Sequence, residues 1–439
     1  MFKETSKELL DFLSKSPTAF HAVENYRQIL NADGFKELLE SEHWDIVPGG
    51  KYYVTRNNTS ILAFKVGTKL DNYSFNIVTS HTASPTFKVK ENAEIEVKNK
   101  YTQLNTEGYG GMLCATWLDR PLSIAGRVLV SEGNSIVTKL LNIDRDLLMI
   151  PNVAIHMNRA ANDGFKYNLQ VDMLPLLSAG DDRQKDFKQI IADELGVKKE
   201  DILGHDLYLY NRMAPSIWGA NEEFISSGHL DDLQCGFASL KALLAGYNDE
   251  SIDIMACFDN EEVGSGTKQG ADSTLLRDTL TRINSALGKT EEDYHRALAS
   301  SFMLSSDNAH AVHPNHPEHT DATNCTYMNE GVVVKSHAGQ KYTSDGVSMA
   351  VVKALASGAD VPLQYFANRS DKAGGSTLGN IAMAQASMNA VDIGLPQLAM
   401  HSSYETAGIK DTYYAISLMK ALFDSHIQET STHSLEIKR

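Results

Sequence analysis

Residues 253 to 264, Asp-Ile-Met-Ala-Cys-Phe-Asp-Asn-Glu-Glu-Val-Gly, constrain the fold more than any other stretch of the chain. An apolar run from Ile254 to Phe258 stops at Asp259 and Asn260, and the pair Glu261 and Glu262 follows. Val263, Gly264, Ser265 and Gly266 cannot easily continue a strand. The pattern predicts a buried strand that delivers two carboxylates to a loop. Neighbouring carboxylates repel, and one reason to keep both is a division of labour, with one held by a metal and the other free to move a proton. Taken alone, the pair reads first as an acidic surface loop after a strand, and the rest of the chain has to overturn that reading.

The rest of the chain supplies the context. At 439 residues it exceeds one ordinary core and divides into about two or three domains. Leu9, Leu10, Phe12 and Leu13, then Ala22, Val23, Tyr26 and Leu30, fall at helical spacing with Ser16 and Pro17 between them, which predicts two helices over 3–31. Residues 52–65 read as a hairpin around Asn57 and Asn58, and 75–79 as a strand running into Ser80-His-Thr-Ala-Ser-Pro. From 88 to 222 short alternating segments such as 94–98, 123–130 and 170–177, with one charged helix at 181–196, predict a β-rich unit. From 230 onward strands at 252–258, 302–306, 362–366 and 397–400 alternate with helices near 233–244, 269–287, 344–356 and 411–424, and the polar tail 425–439 reads as loose. The expected fold is α/β: residues 1–87 and 223–439 form an α/β/α catalytic domain around a mixed central sheet, and 88–222 is a β-rich insertion.

Charge narrows the partners. With 40 basic and 56 acidic residues the net charge is −16, which argues against nucleic acid and anionic membranes and for small molecules and peptides. Cys114, Cys235, Cys257 and Cys325 are scattered without a paired motif, the usage of a reducing cytoplasm. No run approaches the ~18 apolar residues of a membrane span, and the amphipathic start has no apolar signal core.

Four predicted strands each end in a metal-ligand side chain: His81, the pair Glu261 and Glu262, Asp307, and His401. Ligands collect beyond the carboxyl ends of strands in open α/β sheets, so residues over 300 positions apart can converge. Asp231, beside Asp232 before the helix at 233, is a fifth candidate. Two imidazoles and three carboxylates without cysteine suit Zn²⁺, with Mn²⁺ or Co²⁺ also accepted.

Ser80-His-Thr-Ala-Ser-Pro, Tyr109-Gly-Gly, Thr116-Trp-Leu-Asp-Arg-Pro-Leu-Ser-Ile-Ala-Gly-Arg, Ser227-Gly-His-Leu-Asp-Asp-Leu, Phe258-Asp-Asn-Glu-Glu-Val-Gly-Ser, Ser306-Asp-Asn-Ala-His-Ala-Val-His-Pro-Asn and Pro396-Gln-Leu-Ala-Met-His-Ser carry a resemblance to the M18 family, the aspartyl aminopeptidases. The resemblance implies a binuclear aminopeptidase that removes N-terminal amino acids, acidic ones in particular, from peptides. His81 and Asp307 would hold one metal, Glu262 and His401 the other, Asp231 would bridge them, and Glu261 would be the general base. His156 falls where the family places a histidine that reaches into a partner subunit's active site. The β-rich insertion would be a dimerisation domain, and the assembly a dodecamer built from dimers. Lys335 and Lys341 are candidates for holding an acidic substrate side chain.

Two residues depart from the family pattern. Ala83 stands where the family has an aspartate that holds the second nitrogen of the metal-binding histidine, and His229 where it usually has arginine. Loss of such support typically costs about 10–100-fold in metal affinity or activity. The sequence therefore leaves open a weakened or non-catalytic homologue that keeps the oligomeric scaffold. Another binuclear hydrolase, a deacylase or carboxypeptidase, is also compatible, since fold and metal set do not fix the scissile bond.

Overall fold

The computed structural model describes residues 1–180, 186–432 and 434–439. Its largest element is a nine-stranded mixed sheet. Strands Ser251–Phe258, Ser74–His81, Phe302–Ser306 and Asn389–Gly394 lie parallel at its middle. The hairpin Lys51–Arg56 and Ser60–Val66 joins one side antiparallel, and Val332–Lys335 with Leu363–Phe366 completes the other.

The central strands are buried on both faces because their side chains alternate between two cores. Ile252, Ile254, Ala256 and Phe258 pack on one side with helices Leu275–Ala286, Glu291–Ala299 and Leu378–Gln385. Met255 and Cys257 point to the other side, against Phe2–Ser14, Ala19–Ala32, Leu230–Ala245, Gly346–Gly358 and Asp411–Phe423. The period of two is the strand geometry that the run 254–258 implied. The result is the expected α/β/α arrangement.

Residues 86–211 build a second, six-stranded antiparallel sheet. It has its own core, including Phe87, Trp117, Ile124, Val128 and Leu207, with helix Phe187–Leu195 laid on it. Of the helix expected at 181–196, residues 181–185 lie outside the described residues. Sheet pairing crosses both expected junctions: strand Thr86–Val97 begins before residue 88, and Ser216–Trp218 pairs with Phe224–Ser227 in a small sheet on the first body.

Three sequence expectations need correction. Residues 170–177 are not one strand: Asn168 caps a short helix, Leu169–Asp172, and Pro175 separates it from strand Leu176–Ala179. The strand expected at 397–400 is Pro396–Leu398 and lies outside the central sheet, in a five-stranded sheet with Glu405–Gly408. The described residues of the tail form hairpin His426–Ser431 and Ser434–Lys438, with Ile427 in the core.

Candidate metal centre

His81 closes strand Ser74–His81, and Asp307 follows strand Phe302–Ser306, which lies beside it. Across strand Ser251–Phe258, Asn260 takes a left-handed turn (φ 59°) into the 3₁₀ turn Glu261–Val263, which presents both glutamates. Asp231 opens helix Leu230–Ala245 with non-helical backbone (φ −83°, ψ 108°), and the Asp231–Asp232 peptide is cis. His401 stands in a tight turn (φ 67°) after Pro396–Leu398.

These six residues converge. One trio is His81, Asp231 and Asp307, and a second is Asp231, Glu262 and His401; within each, ligand atoms lie within 4.8 Å of one another. Asp231 belongs to both. Its Oδ1 is 3.6 Å from His81 Nε2, and its Oδ2 is 3.5 Å from His401 Nε2. His401 Nε2 is also 3.2 Å from Glu262 Oε2. Glu261 joins a third trio with His81 and Glu262. The donors fit divalent cations of the zinc class on an internal observation: Asp231 Oδ1 and Glu262 Oε1 are buried without a hydrogen-bond partner. Such orphaned carboxylate oxygens are costly unless a cation meets them.

Both imidazoles are aimed by backbone carbonyls. His81 Nδ1 lies 2.9 Å from the carbonyl oxygen of Ala83. A carbonyl only accepts, so Nδ1 carries a proton and Nε2 faces the carboxylates. The main chain at position 83 thus takes over the support that an aspartate side chain would give; a backbone carbonyl serves that role in many metal sites. His401 Nδ1 makes the equivalent 2.9 Å bond to Gly111 O, in a loop of the β-rich unit. The loop is tied down further, because Leu113 N donates to His401 O and Ser403 Oγ to Thr116 O.

Two supports had no signal in the sequence. Glu405 is buried and its carboxylate accepts from Asp231 N at 3.0 Å and His401 N at 2.8 Å. Asp232 accepts from His81 N at 3.0 Å. Lone acidic residues in ordinary surroundings give no pattern to read, although Asp232 stood beside a predicted ligand.

Burial and mutual charge shift the group's protonation. Burial, reinforced by Asp231, pushes Glu262 up to about 8. Burial also raises Asp307 to about 7, against the pull of the Lys335 ammonium. For His401, burial works downward, but the Asp231 hydrogen bond and the charge of Glu262 lift it to about 9. His81 is likewise held well above the usual imidazole range: burial opposes, while Asp232, Glu261 and Asp231 prevail. Such raised values are those of a cluster that exchanges its protons for cations.

The other three predicted site residues differ in setting. His156 is exposed in a turn of the β-rich unit, flanked by exposed Val153, Ile155 and Met157, not on a strand. Lys335 is buried, with its ammonium 3.6 Å from Asp307 and donating to Asn308 O at 2.8 Å. Lys341 is exposed and donates to Gly374 O. His229 lines, with Ala83, a cavity of about 450 Å³ between the two bodies, and burial lowers its imidazole to about 4.

Comparison with known proteins places this centre in a class of zinc peptidases. The family model described as aminopeptidase I zinc metalloprotease (M18) matches residues 12–423. A probable M18 family aminopeptidase 2 of Clostridium novyi is 48% identical over 425 residues, covering 95% of this chain and 98% of that protein. Its counterpart from Clostridium acetobutylicum is 48% identical over 417 residues, covering 94% and 96%. Among solved structures, the cryo-EM structure of the Ape4 and Nbr1 complex superposes with a TM-score of 0.93 at 35% identity, covering 96% of this chain and 86% of that one. The S. cerevisiae mApe1 dodecamer gives 0.83 at 28%, covering 96% and 97%. The chain belongs to the M18 family of aminopeptidases. It is a metallo-aminopeptidase, a hydrolase acting on peptide bonds, with a divalent metal, zinc in its family.

Proposed function

We propose that this aminopeptidase holds two divalent ions and removes N-terminal residues by water attack with Glu261 as general base. His81, Asp231 and Asp307 would hold one ion and Asp231, Glu262 and His401 the other, with Asp231 shared. The observation that carries this reading is the pair of orphaned buried oxygens on Asp231, which both trios share, and on Glu262, which belongs to the second. When bound, such ions act as Lewis acids that lower the pKa of water to about 7 and polarise the scissile carbonyl. Glu261, beside His81 and Glu262, then takes the proton of the attacking water and returns it to the leaving amine. The bond from His81 to Ala83 O supports the catalytic reading over that of a weakened scaffold, because the imidazole keeps its orientation without an aspartate.

Zinc is the favoured ion, and the donor set also accepts Mn²⁺ or Co²⁺. Assembly into a homo-oligomer, a dodecamer built from dimers that join through the β-rich domain 88–222, is supported by the likeness to a dodecameric aminopeptidase and by exposed Val153, Ile155 and Met157. In such an assembly His156 donates to the oxyanion in a neighbouring subunit's site. For acidic substrates Lys335 supplies a cation at the centre and Lys341 one at the surface. The chain has no helix, among the described residues, long and apolar enough to cross a membrane. Its four cysteines are free, in keeping with a cytoplasmic setting.

Glu261→Gln tests the mechanism. Turnover of aminoacyl chromogenic substrates should fall by about 10²–10⁴-fold while zinc content stays at the wild-type value. Undiminished turnover would refute the base assignment.

A further inference from the structure

Beyond Asp307 the chain runs His310-Ala-Val-His313-Pro-Asn-His316-Pro-Glu318-His319, a second set of metal-ligand side chains that the centre does not use. Pro314 and Pro317 stiffen it, and Pro317–His319 forms a 3₁₀ turn with proline at its start. The turn gathers three donors. His316 Nδ1 lies 3.1 Å from Glu318 Oε1, and His319 Nε2 lies 3.9 Å from the same oxygen. The three ligand atoms lie within 4.8 Å of one another. In a tetrahedral zinc site with bonds near 2.1 Å, ligand atoms stand about 3.4 Å apart, so small side-chain rotations close the set. The rings of His316 and His319 are stacked at 5.4 Å, and the ring of His313 stands 5.4 Å from that of His316. Among the described residues, this is the one such group that shares no member with the catalytic centre.

We propose that His316, Glu318 and His319 form a separate, peripheral site for a divalent transition metal of the zinc class. Two imidazoles and a carboxylate are a borderline donor set that selects Zn²⁺ over Mg²⁺ or Ca²⁺. The Arg369 guanidinium donates to the main-chain carbonyl of Glu318 and pairs with Asp371 at 2.9 Å. That contact anchors the turn and leaves the Glu318 carboxylate for the ion. The ligands are exposed, and Arg369 and Lys372 bring positive charge to the neighbouring cavity of about 250 Å³. Both features make this site weaker than the buried centre. The far wall of the same cavity is Gln397–Met400, the segment that leads into His401.

The test starts from zinc-loaded enzyme dialysed against metal-free buffer, which is then titrated with zinc alone and followed by calorimetry and elemental analysis. The wild type should take up one further zinc per chain, and the double variant H316A/H319A none, while that variant keeps its dialysis-resistant zinc and its basal turnover. Glu318→Gln, which disturbs the loop least, should raise the dissociation constant of the further zinc at least about tenfold. Absence of the further zinc in the wild type overturns the proposal, as does equal uptake by the double variant. Should the double variant fold poorly, an unchanged constant in Glu318→Gln is the overturning result.

Discussion

His81 and Asp307 sit at the ends of neighbouring central strands, whereas Glu262 comes from a short 3₁₀ turn and His401 from a turn beyond the smaller sheet. The first pair is locked from within one body: the supports of His81 are Ala83 O and Asp232, both from segments packed on the central sheet. The second pair leans on another body, since His401 is aimed by Gly111 from the β-rich unit and its side chain is 31% exposed, against 1% for His81. One half of the centre is therefore set by the fold of the catalytic body alone, and the other in part by how the insertion docks. Metal affinity in the second half should respond to changes at the junction that leave the first untouched.

Gly110 offers the largest such effect. It adopts φ +72°, and a Cβ there would stand 3.1 Å from Glu262 Cβ and 3.3 Å from Pro85 Cγ. Gly110→Val should strain the turn, push Glu262 off its position and weaken one zinc by about 10–100-fold while sparing the other, read by competition with a chromophoric chelator. Equal weakening of both ions would erase the distinction between the halves.

Acidity gives the next effect, acting on both halves. Glu262 and His401 keep protons below about 8 and about 9, and Asp307 below about 7. A raised pKa, in carboxylate and imidazole alike, means that the proton persists to higher pH and has to leave before the group can ligate. Zinc affinity should therefore fall as pH is lowered from 9 to 7, by on the order of tenfold per pH unit for each proton displaced. Calorimetric titration across this range checks it; a flat profile contradicts the raised values.

Ala83→Asp should do least. The added carboxylate would enter the cavity of about 450 Å³ that Ala83 lines, and His81 Nδ1 already has its acceptor. Zinc affinity and kcat/KM should change by less than about threefold, short of the 10–100-fold that a missing support costs. A gain in that larger range would show that the Ala83 carbonyl is an inadequate substitute.

Much of this was legible in the sequence because it rests on strand ends. The apolar runs before His81, Glu261 and Asp307 each stop at a polar ligand, and the sheet turns those stops into one locus. His401 joins the other candidate ligands, but its strand belongs to another sheet than the sequence suggested, since the brief Pro396–Leu398 carries no mark of its pairing partner. The carbonyls of Ala83 and Gly111 were invisible, because a main-chain acceptor belongs to every residue and is picked out only by geometry. Read by its side chain alone, position 83 left a weakened homologue open, and the main-chain acceptor it offers His81 could not be seen. The tail was misjudged for another reason: its polar outer residues hide an alternation, Ile427 against Ile437, that needs pairing to show itself.

Zinc per chain in His401→Ala, measured by elemental analysis after dialysis against metal-free buffer, tests the two halves of the centre most directly. We predict two ions in the wild type and one in the variant, the survivor held by His81, Asp231 and Asp307. A single ion in the wild type, or loss of both on replacing His401, would contradict two sites of separate construction sharing Asp231.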